Sequence, residues 1–520
     1  QCKGDGKEYA QQIQGVGIMK RAIIIGSGLG GLSTAVILAK YGYRVTLLEQ
    51  SAQIGGALQC FRRAGVSFET GMHYIGSAGR GEIIDSLFKY LGISESISLQ
   101  ELDPSGYDII ALGGSRSSSR YPFAKGREGF VERLCSFNPS WRDSLMRYMQ
   151  AVESVAASSS IRTIAGEGAL VESGVKYQTL SMDSVLEELV DDPLLRDILA
   201  GTQSLYSAVA GRTPFALHAF IMDFYNKGAY RIKGGSSTIA TALAERLKAM
   251  GGEIVTSAKA QKILFNSSGA EGVICGNGER YDGDLIISTI HPAAFAELID
   301  ECQLLRPIYK SRLRSFRNTS GGFTLYLKFK RGRMPYMNHN LFGYAGESPW
   351  GCQFYNSSNW PLGYLYTHSV PANGGGYAES GEIITYMNFA DVERWQGLPV
   401  GRRGAEYEDF KRRCAERLIA AVERDVPGLA DCIEAYWSST PLTYLDYTST
   451  AEGSMYGVAK EIDSTASRVS FRTKVPNLLL AGQSVNSHGL LGVLVGTLIT
   501  CSHIVGNNRI YNNLKEYMEE

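Results

Sequence analysis

Residues 20–50 read KRAIIIGSGLGGLSTAVILAKYGYRVTLLEQ. Ala22 to Ile25 is a short apolar run of the kind that forms a buried parallel strand, and Gly26, Gly28 and Gly31 then spell G-x-G-x-x-G at the opening of a helical pattern. Each glycine answers a separate steric demand: Gly26 a tight turn, Gly28 the approach of backbone to a pyrophosphate, Gly31 close packing of helix on strand. The pyrophosphate would rest on the helix N-terminus, where unpaired N–H groups and the helix dipole favour negative charge. A second apolar run, Val45 to Leu48, ends in Glu49, twenty-one positions beyond Gly28. An acid there hydrogen-bonds ribose hydroxyls and disfavours a 2'-phosphate. Strand, glycines, helix, second strand and acid in register predict a Rossmann-type dinucleotide grip.

The bulk composition narrows what else the chain can be. At 520 residues, 44% apolar and 20% charged, it is long enough for two or three well-buried globular domains. Lys plus Arg and Asp plus Glu balance at 52 each, so no net field draws the protein to nucleic acid or to an anionic membrane. Nine cysteines are scattered without a C-x-x-C, which argues against a zinc site or redox dithiol and for free thiols in a reducing, cytoplasmic setting. The longest apolar stretch, Leu490 to Val505, is broken by glycines and His503 and falls short of a membrane span. Residues 1–18 lack the apolar core of a signal peptide, and Met19-Lys20-Arg21 directly precede the first strand. They read as an extension, disordered or non-native.

Further along, Gly56 to Gly76 reads as turn, short strand, turn and a glycine-rich segment suited to close approach of a ligand. Glu82 to Tyr230 reads as a helical layer, with runs Phe130 to Val152 and Met182 to Leu199 and turns over Gly113 to Arg120 and Ala156 to Gly168. Then come a helix, Thr238 to Met250, a strand, Glu253 to Thr256, and a hairpin turning at Asn277-Gly278 into Arg280 to Ser288. The end of that hairpin should return to the nucleotide sheet. Strands Gly322 to Lys330, Gly363 to His368 and Glu382 to Phe389 and a helix Tyr407 to Asp425 follow. Near the C-terminus, Pro476 to Gln483 reads as a strand ending in glycine, and Ser487 to Thr497 opens a second glycine-rich helix. With no second G-x-G-x-x-G opening a helix, a built-in nicotinamide domain is not expected, and electrons must pass to or from an external donor or acceptor.

These motifs together resemble the FAD-dependent phytoene desaturase, carotenoid isomerase and retinol saturase superfamily. Within it, Phe68-Glu-Thr-Gly-Met-His-Tyr-Ile-Gly76, Thr440 to Thr448, Glu452 to Gly457 and Ala481-Gly482-Gln483 are similar to the retinol saturase subgroup. The resemblance covers nearly the whole chain from Met19. It implies an α/β fold of glutathione-reductase-2 type: a Rossmann-like FAD-binding domain (19–84, 232–300 and 451–520) interleaved with an α+β substrate domain (85–231 and 301–450). It also implies a cofactor-binding set: Gly26, Gly28, Leu29, Gly30 and Gly31; Glu49 and Gln50; Gly55, Gly56 and Ala57; Met72, His73 and Ala260; Gly482 and Gln483; Gly489, Leu490 and Leu491. Many relatives carry an acid where this chain has Gln483, so the ribityl contact would be an amide hydrogen bond.

The chemistry that the resemblance implies is a change at a carbon–carbon double bond of a long apolar polyene, isoprenoid or lipid-like substrate, with the saturase direction preferred. FAD carries the electrons and protein groups handle protons. Desaturation, cis–trans isomerisation and amine oxidation are the alternatives within the enzyme class. A non-catalytic lipid-binding protein on the same fold is the alternative outside it. His73, Tyr74 and His488 are the catalytic candidates, since imidazole can act as acid or base near neutrality. A structural histidine at 73 and a helix-capping one at 488 are the competing readings, and His291 reads as a loop residue. Aromatics over Phe215 to Tyr230, with Phe220, Phe224 and Tyr225, read as plain core more readily than as a polyene groove. No metal site and no nucleic-acid partner are expected. A lipid-like substrate leaves peripheral contact with a membrane open, and the oligomeric state is not legible.

Overall fold

The computed structural model describes residues 20–114, 120–158, 172–300, 302–372, 374–463 and 468–518. The expectations for residues 1–18 and Met19, and for most of the turns at Gly113 to Arg120 and Ala156 to Gly168, lie outside the described residues.

The opening stretch folds into strand Arg21–Ile25, helix Leu29–Lys40 and strand Arg44–Leu48. These two strands join Glu253–Val255, Leu285–Ser288 and Leu478–Leu480 in a five-stranded sheet that is parallel throughout. The order across it is 253–255, 44–48, 21–25, 285–288, 478–480, so strands from three distant parts of the chain lie side by side. The β-branched runs suit a parallel sheet covered on both faces. Ala22, Ile24, Val45 and Leu47 pack with Leu32, Leu243 and Leu494, whereas Ile23, Ile25 and Ile286 face Val273 and Phe295. Helices Leu29–Lys40 and Gly489–Val505 lie against one another, with Ser33 Oγ 3.2 Å from Thr497 Oγ1.

The expected hairpin into Arg280 to Ser288 divides in two. Arg280–Asp282 pairs antiparallel with Gly269–Cys275, while Leu285–Ser288 leaves to run parallel with Arg21–Ile25. The break falls at Gly283, where a Cβ would meet Ile23 Cγ1 at 2.8 Å. The region Glu82 to Tyr230 is not purely helical. Strands Leu99–Glu101, Asp108–Ala111 and Arg120–Phe123 interrupt it, too short to print a period of two on the sequence. The Met182 to Leu199 run is likewise two helices, Met182–Leu189 and Pro193–Leu199, because Pro193 can begin a helix but cannot continue one.

A second, seven-stranded sheet is ordered 433–439, 322–329, 380–386, 363–368, 340–344, 108–111, 120–123. One face packs Phe323, Leu325 and Ile383 against Leu418 and Val422 of helix Ala405–Glu423. On the other, Phe342, Tyr344 and Ile110 pack with Phe215 of helix Phe215–Asn226 and Val152 of helix Arg142–Ala157. No helix among the described residues is long and apolar enough to cross a membrane.

Gly31 is the tightest point of the Rossmann unit, since a Cβ there would stand 1.8 Å from the Gly26 carbonyl oxygen. Backbone cannot yield as a flexible side chain does. Gly31→Ala is expected to destabilise the protein by about 3 kcal/mol, the upper end of overpacking costs, seen as an earlier midpoint in urea unfolding of the variant.

Candidate functional site

The carboxyl ends of the parallel sheet open onto a cavity of about 2470 Å³, well beyond the roughly 300–1,000 Å³ of ordinary small-molecule sites. This is where open parallel sheets place ligands. Two helix N-termini meet it. In the first, Gly28 precedes helix Leu29–Lys40 with no side-chain cap, and the first intrahelical bond runs from Leu32 N–H to the Gly28 carbonyl. The N–H groups of Leu29, Gly30 and Gly31 therefore precede any intrahelical partner. In the second, His488 precedes helix Gly489–Val505, again without a side-chain cap.

The glycines divide by what a side chain would meet. A Cβ on Gly28 would stand in open space, so the backbone here is bare toward the cavity. On Gly30 it would meet Gly482 Cα at 2.9 Å, and on Gly56 it would meet Gly28 Cα at 3.1 Å. Gly26, Gly28, Leu29 and Gly30, with Gly56 and Ala57, line the cavity. Gly31 and Gly55 do not. They lie behind it, Gly55 at φ +116° with Ala240 beside its Cβ position.

Glu49 is 7% exposed and lines the cavity. Its Oε2 accepts from Ser27 N–H at 3.0 Å and Ser27 Oγ at 2.5 Å, and its Oε1 from Ser51 N–H at 2.8 Å. These bonds hold the carboxylate at the strand end while lone pairs remain for hydroxyl donors. Gln50 reaches across, its Nε2 donating to the Tyr447 carbonyl and Ser449 Oγ at 3.3 and 3.2 Å. Met72, Ala260, Gly482, Gln483, Gly489, Leu490 and Leu491 also line the wall.

All three catalytic candidates reach the cavity, in different states. His73 Nδ1 is buried with no hydrogen-bond partner. Burial, helped by the nearby Arg231 charge, brings its pKa down to about 4. Tyr74 is committed elsewhere: its hydroxyl donates to Asp108 Oδ2 at 3.0 Å and its ring stacks on Tyr225 with centroids 4.4 Å apart. His488 does not cap its helix. Its Nε2 sits 3.1 Å from the Leu205 carbonyl and its ring lies 4.6 Å from that of Tyr456. Burial lowers His488 to about 4 as well. Both histidines are thus neutral at pH 7, and neither holds the extra proton of an imidazolium. His291 is more than a loop residue, since its Nδ1 accepts from Ala293 N–H at 3.2 Å and caps helix Pro292–Leu298.

Beneath His73 lies a polar network that no motif announced. Buried Arg231 donates to the Met337 and His339 carbonyls, Tyr336 Oη, Asn340 Oδ1 and Thr367 Oγ1, at 2.8 to 3.1 Å. Asn340 Nδ2 in turn donates to Asp108 at 2.8 Å. Glu382 accepts from Glu69 N–H, and Glu69 from Ser236 N–H. Burial raises all three acids: Asp108 to about 7, Glu382 to about 8 with the Glu69 charge adding to it, and Glu69 upward.

The cavity then runs over the seven-stranded sheet. Tyr326, Trp437, Ile384, Leu365 and Tyr344 form its floor. Helix Phe215–Asn226 forms a wall through Leu217, Phe220, Ile221, Phe224 and Tyr225, while Phe215, His218, Ala219 and Met222 pack into the core. The plain-core expectation for these aromatics holds for only one side of the helix. The i, i+3, i+4, i+7 spacing of 217, 220, 221 and 224 was the available signal. Lys460, also on the cavity wall, was missed because its segment carries no periodicity.

The donor set fits a flavin dinucleotide: bare glycine backbone, two uncapped helix starts, an acid at the ribose position and an unpartnered His73 Nδ1. Known proteins agree. A model of the family described as flavin containing amine oxidoreductase matches residues 29–497. The chain is 27% identical over 535 residues to the all-trans-retinol 13,14-reductase of Rattus norvegicus, covering 95% of this chain and 87% of that protein. It is 24% identical to the 4,4'-diapolycopene oxygenase of a Methylomonas species, covering 90% and 95%. A solved oxidoreductase from Methanosarcina mazei shares the fold with a TM-score of 0.63 at 16% identity, over 93% of this chain and all of the other.

Two outcomes follow from this geometry. Gly28→Ala is expected to match the melting temperature of FAD-free wild type yet fail to bind FAD, because the methyl enters the space left for phosphate; the 450 nm absorbance of the purified variant reads the loss. The buried acids set a pH trend. Their unfolded values, 3.8 for Asp108 and 4.5 for Glu382, lie below the folded ones, so the fold holds the extra protons between the two. Their contribution is complete below the unfolded values and lost as pH rises through about 7 for Asp108 and about 8 for Glu382. Melting temperature should fall over that window, and Glu382→Gln should flatten the fall.

Proposed function

This chain belongs to the flavin-containing amine oxidoreductase family and is an FAD-dependent oxidoreductase; from that premise we propose that it acts on a carbon–carbon double bond of a long apolar polyene or isoprenoid, in the reducing direction. The observation that carries the reading is the cavity's extent and lining. From the glycine turn it continues across the sheet face and along Leu217, Phe220 and Ile221, a length of apolar wall suited to an extended chain. The relatives named for retinol reduction and diapolycopene oxygenation point to the same substrate class.

FAD supplies the two-electron chemistry at the double bond. In the proposed arrangement, the backbone of Gly28, Leu29 and Gly30, with Gly56 and Ala57, holds the diphosphate. Glu49 takes the adenosine ribose and Gln483 the ribityl chain. Gly489, Leu490 and Leu491 at the second helix N-terminus, with Met72 and His73, would hold the flavin ring. The neutral His73 imidazole orients the ring or substrate through a hydrogen bond, and Tyr74, tied to Asp108, positions the segment that carries His73. The domain division at 19–84, 232–300 and 451–520 against 85–231 and 301–450 belongs to the same reading. An external donor supplies electrons.

Amine oxidation is disfavoured by charge. Lys460 on the cavity wall would repel a substrate ammonium, and the wall carboxylates Asp223 and Glu461 are already paired, the first with Lys227 and the second with Arg317 and Arg212. Anaerobic mixing of the photoreduced enzyme with retinoid, carotenoid and amine panels tests the proposal. Reoxidation of flavin by a polyene, with loss of the longest-wavelength polyene band, is the expected result. Bleaching of the oxidised flavin by an amine, without response to any polyene, would overturn it.

A further inference from the structure

Lys460 lines the cavity and takes no part in the chemistry assigned so far. Its Nζ donates to the Ser484 carbonyl at 2.6 Å, in the loop between strand Leu478–Leu480 and helix Gly489–Val505. Lys460 is half-buried, and an ammonium largely withdrawn from water is ordinarily paired with an acid, because desolvation of an isolated charge is costly. Here none of the described carboxylates acts on it. The adjacent Glu461 is engaged instead by Arg317 at 2.8 Å and Arg212 at 4.0 Å. Burial alone displaces the Lys460 pKa, down to about 8, so the group is charged at pH 7. Its charge reaches His488, itself neutral.

The sheet tells which part of a dinucleotide comes here. Glu49 follows the strand 44–48, and Gly482 follows the strand 478–480, three positions across the sheet. At ~4.8 Å per strand that is about 14 Å, a span that carries a dinucleotide from its ribose past the diphosphate. Gly482 backs onto Gly30 at the first helix start, and Ser484 lies two residues beyond it. The chain then leads to His488 and the second helix start. The part of the cavity beside Lys460 and Ser484 is therefore where the flavin end of the cofactor would lie.

We propose that Lys460 is the charge partner of the reduced flavin, with its ammonium and the N-terminus of helix Gly489–Val505 together offsetting the single negative charge that the ring would carry after accepting two electrons and one proton. Oxidised flavin is neutral at its ring and has less use for an unpaired cation. The reduced ring would supply the anion that Lys460 lacks among the described residues. Lys460 thus tunes the reduction potential and leaves the shape of the substrate wall to other residues. The inference rests on FAD as the cofactor and not on the polyene, so it can fail or stand apart from the proposed reaction.

Sulfite is the probe, since its sulfur forms a bond to flavin N5 and its electron pair leaves the ring anionic, with no proton required. Lys460→Met in the FAD-loaded enzyme is expected to weaken sulfite binding about tenfold, the scale of one lost charge-assisted contact, and to lower the two-electron midpoint by about 30 mV. Lys460→Arg should restore both. Unchanged sulfite affinity and midpoint in a Lys460→Met protein that keeps its FAD would overturn the proposal. If Lys460→Met does not keep FAD, Lys460→Gln against Lys460→Arg makes the comparison, and equal sulfite affinities overturn it. A variant that loses only its preference between a polyene carboxylate and the matching alcohol, with sulfite binding unchanged, assigns the charge to the substrate and likewise overturns it.

Discussion

Close approach of backbone to backbone at the carboxyl edge of the parallel sheet is the constraint from which the rest of the structure follows. Helix Leu29–Lys40 can lie on its strand only because Gly31 presents no Cβ to the Gly26 carbonyl. The last strand can reach the same point only because Gly30 and Gly482 touch through bare Cα atoms. Had either position a side chain, the two uncapped helix starts could not share one cavity. The dinucleotide grip is thus a packing problem first and an electrostatic one second.

The two sheets divide the labour. The parallel sheet offers backbone N–H groups and one acid, which suit phosphate and ribose. The larger sheet offers a broad apolar and aromatic floor, closed by one face of helix Phe215–Asn226. Between them Arg231 binds residues 337, 339 and 340, Asn340 reaches Asp108 and Asp108 holds Tyr74, while the Glu69–Glu382 bond is a second tie to the large sheet that feels Arg231 through charge. Buried acids raised toward neutrality are the cost of such a junction, and they couple the rigidity of the site to pH.

The nucleotide half was legible from residues 20–50 because its signals are local: a glycine spacing, a helix period and an acid at a fixed distance. The C-terminal strand and helix were legible for the same reason. The substrate half was harder. Strands of three or four residues such as Asp108–Ala111 leave no readable alternation, and their partners lie more than two hundred residues away at Asn340–Tyr344. Phe215 to Tyr230 looked like core because core and cavity wall use the same residues. Only the surroundings of each face tell them apart.

By itself, then, the sequence determined the elements whose causes are contiguous: the βαβ grip, the acid at Glu49, and the absence of a second dinucleotide motif. The tertiary structure decided everything that depends on burial. It made His73 and His488 neutral, committed Tyr74 to Asp108, and left Lys460 charged with none of the described carboxylates paired to it. A side chain's protonation and partners are set by the dielectric and the neighbours it meets, and those neighbours come from parts of the chain that only folding brings together.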